Sequence, residues 1–242
     1  MILLNDIFDK IYYVNLLADR NKNIFFQHQI SNTILKDKCI RFDAVDGRKI
    51  NIDNIDRSII TDNGRRQIIQ KKQQTYGVSL TYGSLGCALS HKKIWEECIT
   101  ANKPFLILED DIIPHKNFNT IFTNICHRLS SIDYDIFYIG YNEIPGFKKT
   151  KIDDVVSKAA GFITGTYGYI CTPIAAKKLL TIFPLNKQVD SSISDNLNKF
   201  KVYCSTTKLV GASAAFGSKT QKNDSCINYV QIKDLEWDKL FK

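Results

Sequence analysis

The stretch that constrains the fold most is residues 105–111, where Phe-Leu-Ile-Leu is followed directly by Glu-Asp-Asp. Such an apolar run indicates a short buried strand, and the acids mark the point where the strand leaves the core. Adjacent carboxylates repel one another and are costly at the edge of a core, so positive charge is expected beside them. Mg²⁺ or Mn²⁺ is a candidate, because both prefer oxygen ligands. The alternative is a solvated acidic turn that leads into residues 112–114.

Length and composition favour one large α/β domain over residues 1–242. The chain is 44% hydrophobic, which is enough for a substantial core, and no internal repeat divides it. The longest apolar runs, such as residues 105–108, are far shorter than the ~20 residues that span a bilayer. The N-terminus lacks the basic region of a signal peptide and includes Asp6 and Asp9. We therefore expect a soluble, cytoplasmic protein without a membrane span.

Cysteine usage and charge argue against several classes of site. The seven cysteines are odd in number and never form Cys-x-x-Cys, which argues against a disulfide framework and a zinc site and indicates reduced thiols. The net charge of +8, with a pI near 9.0, permits attraction to phosphates. Because the basic residues are scattered among acids and no nucleic-acid motif accompanies them, we expect no nucleic-acid partner.

The N-terminal part of the chain predicts the beginning of a βαβ unit. Residues 10–16 are β-branched and aromatic, residues 24–35 carry apolar side chains at helical spacing, and residues 39–45 form a second strand. Strand, helix and strand in this order indicate a largely parallel sheet, which binds ligands at the carboxyl ends of its strands. The polar residues expected at that edge are Asn15, Arg20 and Asp46.

Residues 83–98 predict a helix with Ser84 as its N-cap. Its inward face is marked by a stripe at helical spacing, formed by Cys87, His91, Ile94, Trp95 and Cys98. A lone histidine on an apolar stripe is more often a hydrogen-bonded core residue than a catalytic one. Spacing by itself therefore favours a core role for His91.

The remaining segments predict further elements of the same sheet. Helices are expected at residues 118–129 and 173–183, and strands at residues 136–140 and 200–204. Residues 51–82 predict a polar excursion with some helix, and residues 141–158 predict a loop that covers the substrate. The tail around Trp237 is a candidate homodimer contact.

Five stretches, taken in order, resemble glycosyltransferase family 25, which includes bacterial lipooligosaccharide galactosyltransferases and procollagen galactosyltransferases. The first four are Tyr13-Val14-Asn15-Leu16 with Arg20, Ala44-Val45-Asp46-Gly47, Gly86-Cys87-Ala88-Leu89-Ser90-His91 with Trp95, and Leu106-Ile107-Leu108-Glu109-Asp110-Asp111. The fifth is residues 165–170 with residues 175–180 and Val189-Asp190. Together the five stretches cover most of residues 10–195.

The resemblance implies a GT-A fold, that is, a Rossmann-like, mostly parallel sheet flanked by helices. It implies that Asp111 and Glu109 bind Mn²⁺ or Mg²⁺. The residues that it places in the donor site are Asn15, Arg20, Asp46, Gly47, Glu109 and Asp110. Inversion at the sugar needs a base that deprotonates the acceptor hydroxyl, and the match gives that role to Asp190. The alternative is that Asp190 or Asp195 is the N-cap acid of a helix over residues 191–200.

With the resemblance, His91 is expected to position the donor sugar or the acceptor. The implied activity is transfer of a hexose, galactose or glucose, from a UDP-sugar. The acceptor classes are a glycan, a lipid-linked glycan or a collagen-like protein. The alternative function is a catalytically silent relative that binds a sugar or a protein as a module.

Overall fold

The structure, a computed structural model, describes residues 3–70 and 79–213. The strands are β1 Lys10–Asn15, β2 Ile40–Asp43, β3 Phe105–Glu109, β4 Ile112–Pro114, β5 Ile136–Glu143, β6 Lys148–Lys151, β7 Val156–Ala160, β8 Ile163–Cys171, β9 Val202–Ser205 and β10 Val210–Ala212. The α-helices are α1 Leu4–Ile7, α2 Arg20–Ile30, α3 Asp62–Gln70, α4 Tyr82–Ala101, α5 Phe118–Leu129, α6 Pro173–Leu180 and α7 Val189–Asp195. Short 3₁₀-helices span Gly47–Lys49 and Leu197–Lys199.

The large sheet contains eight strands in the order β2-β1-β3-β8-β5-β9-β7-β6, and β4 pairs with β10 in a small second sheet. β1 is parallel to β2 and β3, and β5 is parallel to β9, whereas β7 and β8 run against their neighbours. All strands of the large sheet except β7 and β8 therefore share one direction. The predicted α/β architecture, a mostly parallel sheet flanked by helices, is confirmed.

The strand β3 separates two hydrophobic cores. Phe105 and Ile107 face a core that contains Trp95 of α4, whereas Leu106 and Leu108 face a second core on the opposite side of the sheet. All four strand residues are completely buried. Burial on both faces explains why this stretch is continuously apolar, and each such side chain contributes about 1.5–3 kcal/mol.

The N-cap of the long helix α4 is Thr81, which lies three residues before the predicted N-cap, Ser84. The Thr81 side chain accepts a hydrogen bond from the Ser84 backbone N–H, and the Ser84 hydroxyl lies 2.8 Å from the Thr81 backbone nitrogen. The expectation that Ser84 is the N-cap was wrong, because Ser84 is the second partner of a capping box. The predicted inward stripe is confirmed for His91, Ile94, Trp95 and Cys98, which are completely buried, whereas Cys87 is half-buried.

The turn after β2 packs on α4 by a direct approach of two backbones. A Cβ added to Gly47 would lie 1.7 Å from the Tyr82 carbonyl oxygen, and one added to Gly86 would lie 2.4 Å from the Val45 carbonyl oxygen. The Ser90 hydroxyl accepts a hydrogen bond from the Val45 N–H at 2.8 Å and donates one to the Gly86 carbonyl at 2.7 Å. Two stretches that are far apart in the sequence are therefore in contact without intervening side chains.

The expected substrate-covering loop at residues 141–158 was wrong. The structure extends β5 to Glu143 and forms β6 and β7 in this region. Every residue of β6 is exposed, because β6 is the last strand of the sheet. An edge strand with both faces in water carries the polar composition of a loop, so composition could not distinguish the two.

Two predicted helices have shifted boundaries. The helix predicted over residues 24–35 is α2, which begins at Arg20 and ends at Ile30. The helix predicted over residues 173–183 is α6 and ends at Leu180. Part of the polar excursion, residues 71–78, and the tail around Trp237 lie outside the described residues. The single domain and the homodimer contact therefore stay predictions.

Among residues 3–70 and 79–213, no helix is both long enough and apolar enough to cross a membrane.

We predict that Gly86→Ala lowers the free energy of unfolding by about 1–3 kcal/mol, because the new methyl group overlaps the Val45 carbonyl. Helix propensity alone would give the opposite sign, since Ala is favoured over Gly in a helix by about 1 kcal/mol. Urea denaturation followed by circular dichroism measures the difference.

Gly211→Ala is the matched control, because a Cβ at Gly211 would meet no atom within 4 Å. The stability of the control should stay within about 0.5 kcal/mol of wild type. A Gly86→Ala protein as stable as wild type would contradict the close backbone approach.

Candidate active site

The candidate site lies at the edge of the large sheet where β1 and β3 end. Val14 of β1 is paired with Glu109, the last residue of β3. β8 runs against β3, with Gly168 opposite Leu108, so the first residues of β8 reach the same edge. Polar side chains from three separate stretches of the chain therefore meet at a carboxyl edge, where sheets of this kind bind ligands.

Two of the three consecutive acids are paired with a lysine from α2. The Lys22 ammonium lies 3.0 Å from Oδ1 of Asp110 and 2.8 Å from Oδ2 of Asp111. The Asn15 amide donates to the other oxygen of Asp110 at 2.7 Å and to the Asp19 carbonyl at 3.3 Å. Asp110 is only 8% exposed and Lys22 only 7%. The alternative of a solvated acidic turn is therefore wrong.

Charge and burial oppose each other in this network. Burial raises the pKa of Asp110, while the positive charge of Lys22 and the Asn15 hydrogen bond act against that rise. Burial lowers the pKa of Lys22, but the charges of Asp111 and Asp110 outweigh it and raise the pKa above its ordinary value. Lys22 is therefore an ammonium ion at neutral pH, and it compensates the two carboxylates that it contacts.

Positive charge was expected beside the acids, but Lys22 was not predicted to supply it. A signal for it exists in the sequence, because Lys22, Phe25 and Phe26 have the i, i+3, i+4 spacing of one helix face, and all three are buried. Arg20, the residue expected to contact phosphates, is instead exposed at the first position of α2. The buried cation at the acids is thus Lys22.

Glu109 occupies a different environment from the two aspartates beside it. Its Oε1 atom accepts a hydrogen bond from the Thr166 hydroxyl at 2.7 Å. Burial, together with the nearby charge of Asp111, raises the pKa of Glu109 to about 8. Without a bound cation, the Glu109 carboxyl is therefore largely protonated at neutral pH.

Asp190 lies in the first turn of α7 and faces the beginning of β8. Its Oδ2 atom accepts a hydrogen bond from the Gly165 N–H at 3.1 Å, and its Oδ1 atom accepts one from the Ser191 N–H at 2.7 Å. Burial raises the pKa of Asp190, and these backbone hydrogen bonds counteract part of the rise. The N-cap of α7 is Gln188, and Asp195 is the last residue of the helix, so the expectation of an N-cap acid was wrong.

A cysteine, a histidine and a glutamate form a compact group at the same edge. One ligand atom each from Cys87, His91 and Glu109 lie within 4.8 Å of one another. The His91 Nδ1 atom is 2.8 Å from the Tyr169 hydroxyl, which also accepts a hydrogen bond from the Trp95 indole at 2.9 Å. Burial lowers the pKa of His91 to about 4, so the imidazole is neutral.

The structure brings most of the expected site residues to one edge of the sheet. Those with contacts there are Asn15, His91, Glu109, Asp110, Asp111 and Asp190. Asp46 is paired instead with Arg48, which lowers the pKa of the Asp46 carboxyl. Gly47 has a packing role, because it is the point at which the turn touches α4. Lys22, Cys87 and Thr166 are the site residues that the sequence analysis did not assign.

Sequence comparison gives a family match over most of the chain. The profile of "Glycosyltransferase family 25 (LPS biosynthesis protein)" matches residues 8–193, which include every site residue described above. Among curated relatives, procollagen galactosyltransferase 1 of Danio rerio is 28% identical over 209 residues, covering 81% of this chain and 32% of the relative. The inactive glycosyltransferase 25 family member 3 of Homo sapiens is 27% identical over 192 residues, covering 75% of this chain and 30% of the relative.

The chain thus spans about a third of the length of these relatives. Among solved structures, UDP-glucose pyrophosphorylase complexed with UDP-glucose aligns with 84% of this chain and 91% of its own, at 9% identity and a TM-score of 0.46. That structural likeness is weak.

We predict that Lys22→Met destabilises the protein by about 3–5 kcal/mol, because it leaves two buried carboxylates without their cation. Chemical denaturation at neutral pH in EDTA measures the loss. Lys187→Met is the control, since the side chains of the Lys187–Asp195 pair are 30% and 43% exposed, and its removal should cost less than about 1 kcal/mol. Adding Asp110→Asn and Asp111→Asn to Lys22→Met should restore part of the stability. Equal effects of the two lysine substitutions would contradict the buried ion network.

We also predict that Glu109 makes the protein less stable as the pH rises. The folded state keeps the Glu109 proton up to a pKa of about 8, whereas the ordinary value is 4.5. Between these values the unfolded chain has already released the proton, so raising the pH favours unfolding. Glu109→Gln should remove a slope of up to about 1.4 kcal/mol per pH unit.

Urea denaturation between about pH 5 and pH 8 in EDTA, comparing each variant with wild type, measures this slope. Glu143→Gln removes an exposed carboxyl and should leave the slope unchanged. A Glu109→Gln protein with the wild-type pH dependence would show that Glu109 is ionised in the folded state.

Proposed function

The chain belongs to glycosyltransferase family 25, and from this premise we propose that it transfers a hexose from a UDP-sugar, with inversion at the anomeric carbon. Galactose is the first candidate, because one of the relatives is named a procollagen galactosyltransferase, and glucose is the second. The observation that carries the proposal is that two acids reach one edge of the sheet by different routes: Asp111 follows the end of β3, and Asp190 accepts a hydrogen bond from Gly165 of β8, the strand paired with β3. Asp111 can then bind the ion that stabilises the leaving group, and Asp190 can deprotonate the acceptor.

Asp111 fits a hard divalent cation. Its Oδ2 atom is paired with Lys22, but its Oδ1 atom is buried and has no hydrogen-bond partner among the described residues. We propose that Asp111 and Glu109 hold Mn²⁺ or Mg²⁺, both of which prefer oxygen ligands. When bound, the ion offsets the negative charge that develops on the departing nucleoside diphosphate. Lys22 supplies a positive charge 2.8 Å from the other oxygen of Asp111.

Other residues at this edge can bind the donor. The Asn15 Oδ1 atom is buried without a partner among the described residues, so it can accept a hydrogen bond from a donor hydroxyl or base. Arg20 is exposed and can contact a phosphate with two parallel N–H donors. Asp46 and Gly47 lie in the turn after β2, the strand next to β1. Asp110 orients Asn15 by accepting a hydrogen bond from its amide nitrogen at 2.7 Å. His91, across Glu109, can orient the sugar or the acceptor.

Asp190 is the proposed general base. Two backbone N–H groups orient its carboxylate, and burial raises its pKa toward the range that suits a base at neutral pH. In a direct displacement the acceptor hydroxyl gives its proton to Asp190 while its oxygen bonds to the anomeric carbon. The bond from that carbon to the phosphate oxygen breaks at the same time, and the electron pair leaves with the diphosphate.

The acceptor is a glycan, a lipid-linked glycan or a collagen-like protein. The family description mentions LPS biosynthesis, and one relative is named for procollagen, so both acceptor classes are candidates. A silent binding module is the second candidate function, because some relatives of similar identity are named inactive. Asp111 and Asp190 are both present here, which favours transfer.

A thermal-shift panel tests the proposal. We expect a UDP-hexose with Mn²⁺ to stabilise the protein, and EDTA or another nucleotide class to remove the effect, since a ligand at 100 times its Kd adds about 2.7 kcal/mol. Asp111→Asn should lose the Mn²⁺-dependent shift, whereas Asp190→Asn should keep it. A flat response of the folded wild-type protein to every donor would favour the silent module.

Release of the nucleoside diphosphate from the stabilising donor then tests the base. Asp190→Asn should reduce this rate by ~10²–10⁴-fold, the usual effect of losing a general base. Asp195→Asn on the same helix is the control, because Asp195 pairs with Lys187 at the surface, and it should keep the wild-type rate. An Asp190→Asn protein with wild-type turnover would place the base elsewhere.

A further inference from the structure

Cys87, His91 and Glu109 form a set of ligands that is distinct from the proposed Mn²⁺ pair, although Glu109 belongs to both. Cys87 and His91 are one turn apart on the same face of α4, and Glu109 ends the adjacent strand β3. Their ligand atoms, a thiol sulfur, an imidazole nitrogen and a carboxylate oxygen, lie within 4.8 Å of one another. These are the ligand types of zinc sites, which bind through Cys, His and Asp or Glu.

The contacts of His91 point independently to a ligand. The side chain is completely buried, and its Nε2 atom has no hydrogen-bond partner among the described residues. Leaving a buried ring nitrogen unpaired is costly. The other ring nitrogen is bonded to the Tyr169 hydroxyl, whose position is fixed in turn by the Trp95 indole. A metal-binding histidine almost always has its second nitrogen engaged in this way, because that contact sets the orientation of the ring.

We propose that Cys87, His91 and Glu109 bind Zn²⁺ through one sulfur, one nitrogen and one oxygen, with a fourth position open to water or substrate. The thiolate selects Zn²⁺ over Mg²⁺ and Mn²⁺, which prefer oxygen ligands. On binding, Cys87 and Glu109 release their protons to solvent, and the neutral imidazole contributes Nε2.

The site has a consequence for transfer, and this part of the inference rests on the proposed function. Glu109 is shared between the zinc set and the proposed Mn²⁺ site beside Asp111. A Zn²⁺ ion on Glu109 therefore removes that carboxylate from the donor site. We expect Zn²⁺ to inhibit donor turnover, and a chelator to restore it. Zinc binding itself does not depend on the donor or on turnover.

Titration with Co²⁺, a spectroscopic substitute for Zn²⁺, tests the site without a donor. The full chain is used in a Cys226→Ser background, so that the cysteine outside the described residues does not contribute. We expect one equivalent of Co²⁺ to produce a cobalt–thiolate charge-transfer absorption that Zn²⁺ abolishes by displacement. Cys87→Ser should eliminate the absorption and weaken binding by at least ~100-fold, since losing even an outer-shell partner costs 10–100-fold.

Cys39→Ser is the matched control, because Cys39 is also a half-buried free thiol but lies outside the group. It should keep the absorption and the affinity. Tyr169→Phe should keep the absorption but weaken binding by ~10–100-fold, because Tyr169 positions His91 without contacting the ion. Circular dichroism verifies that each variant is folded.

A second measurement needs no variant. Bound Zn²⁺ should protect Cys87 of the wild-type protein from alkylation, as read by mass spectrometry, while Cys39 continues to react at its metal-free rate. A folded wild-type protein without thiolate absorption, an unchanged absorption in Cys87→Ser, or alkylation of Cys87 at the same rate with and without Zn²⁺ would each overturn the proposal. Loss of UDP-sugar binding alone would overturn the proposed function and leave the zinc site intact.

Discussion

Burial of consecutive carboxylates at the end of β3 is the constraint on which the candidate site depends. Isolated charges at such a position would cost several kcal/mol each, so the chain provides a buried lysine at 2.8 Å and 3.0 Å from two of them. Lys22 can reach them because α2 follows β1 and packs against β4, the strand that comes directly after the three acids. Asp110 and Asp111 are paired with the Lys22 ammonium, whereas the partner of Glu109 among the described residues is the Thr166 hydroxyl, and burial raises the pKa of Glu109 to about 8. One short acidic stretch thus presents two chemically different kinds of oxygen.

The position of α4 determines what surrounds Glu109. The glycine contact between Gly47 and Gly86 places the helix backbone against the turn after β2, and Ser90 fixes that contact by two hydrogen bonds. With α4 fixed there, Cys87 and His91 lie near the end of β3; His91 is completely buried and Cys87 is half-buried. The same edge therefore combines hard oxygen atoms near Asp111 with softer sulfur and nitrogen atoms near His91. A single site with both kinds of ligand can respond differently to different divalent cations.

Much of the fold follows from local pattern. The four apolar residues of β3, the β-branched run of β1 and the helical spacing of α4 and α5 each had a clear periodicity, and the structure confirms these elements. Residues 141–158 were wrongly expected to be a loop, because an edge strand in water needs no apolar face. The N-cap of α4 was wrongly assigned to Ser84, since both Thr81 and Ser84 are capping residues and only backbone geometry distinguishes their roles.

The candidate site, like the fold, could be predicted from the sequence only in part. By itself the sequence determined the acidic end of β3, the apolar face of α4 and the order of stretches that resembles one family, because strand and helix periodicity are local and the family motifs are contiguous. Only the tertiary structure decided that Lys22 neutralises the aspartates, that Asp46 pairs with Arg48, and that Cys87, His91 and Glu109 meet. The sequence contains no Cys-x-x-Cys, yet Cys87, His91 and Glu109 come together from a helix and a strand that are separate in the sequence. The physical reason is that distance and burial decide which charged or ligating side chains contact one another. Both are set by how the helices pack on the sheet.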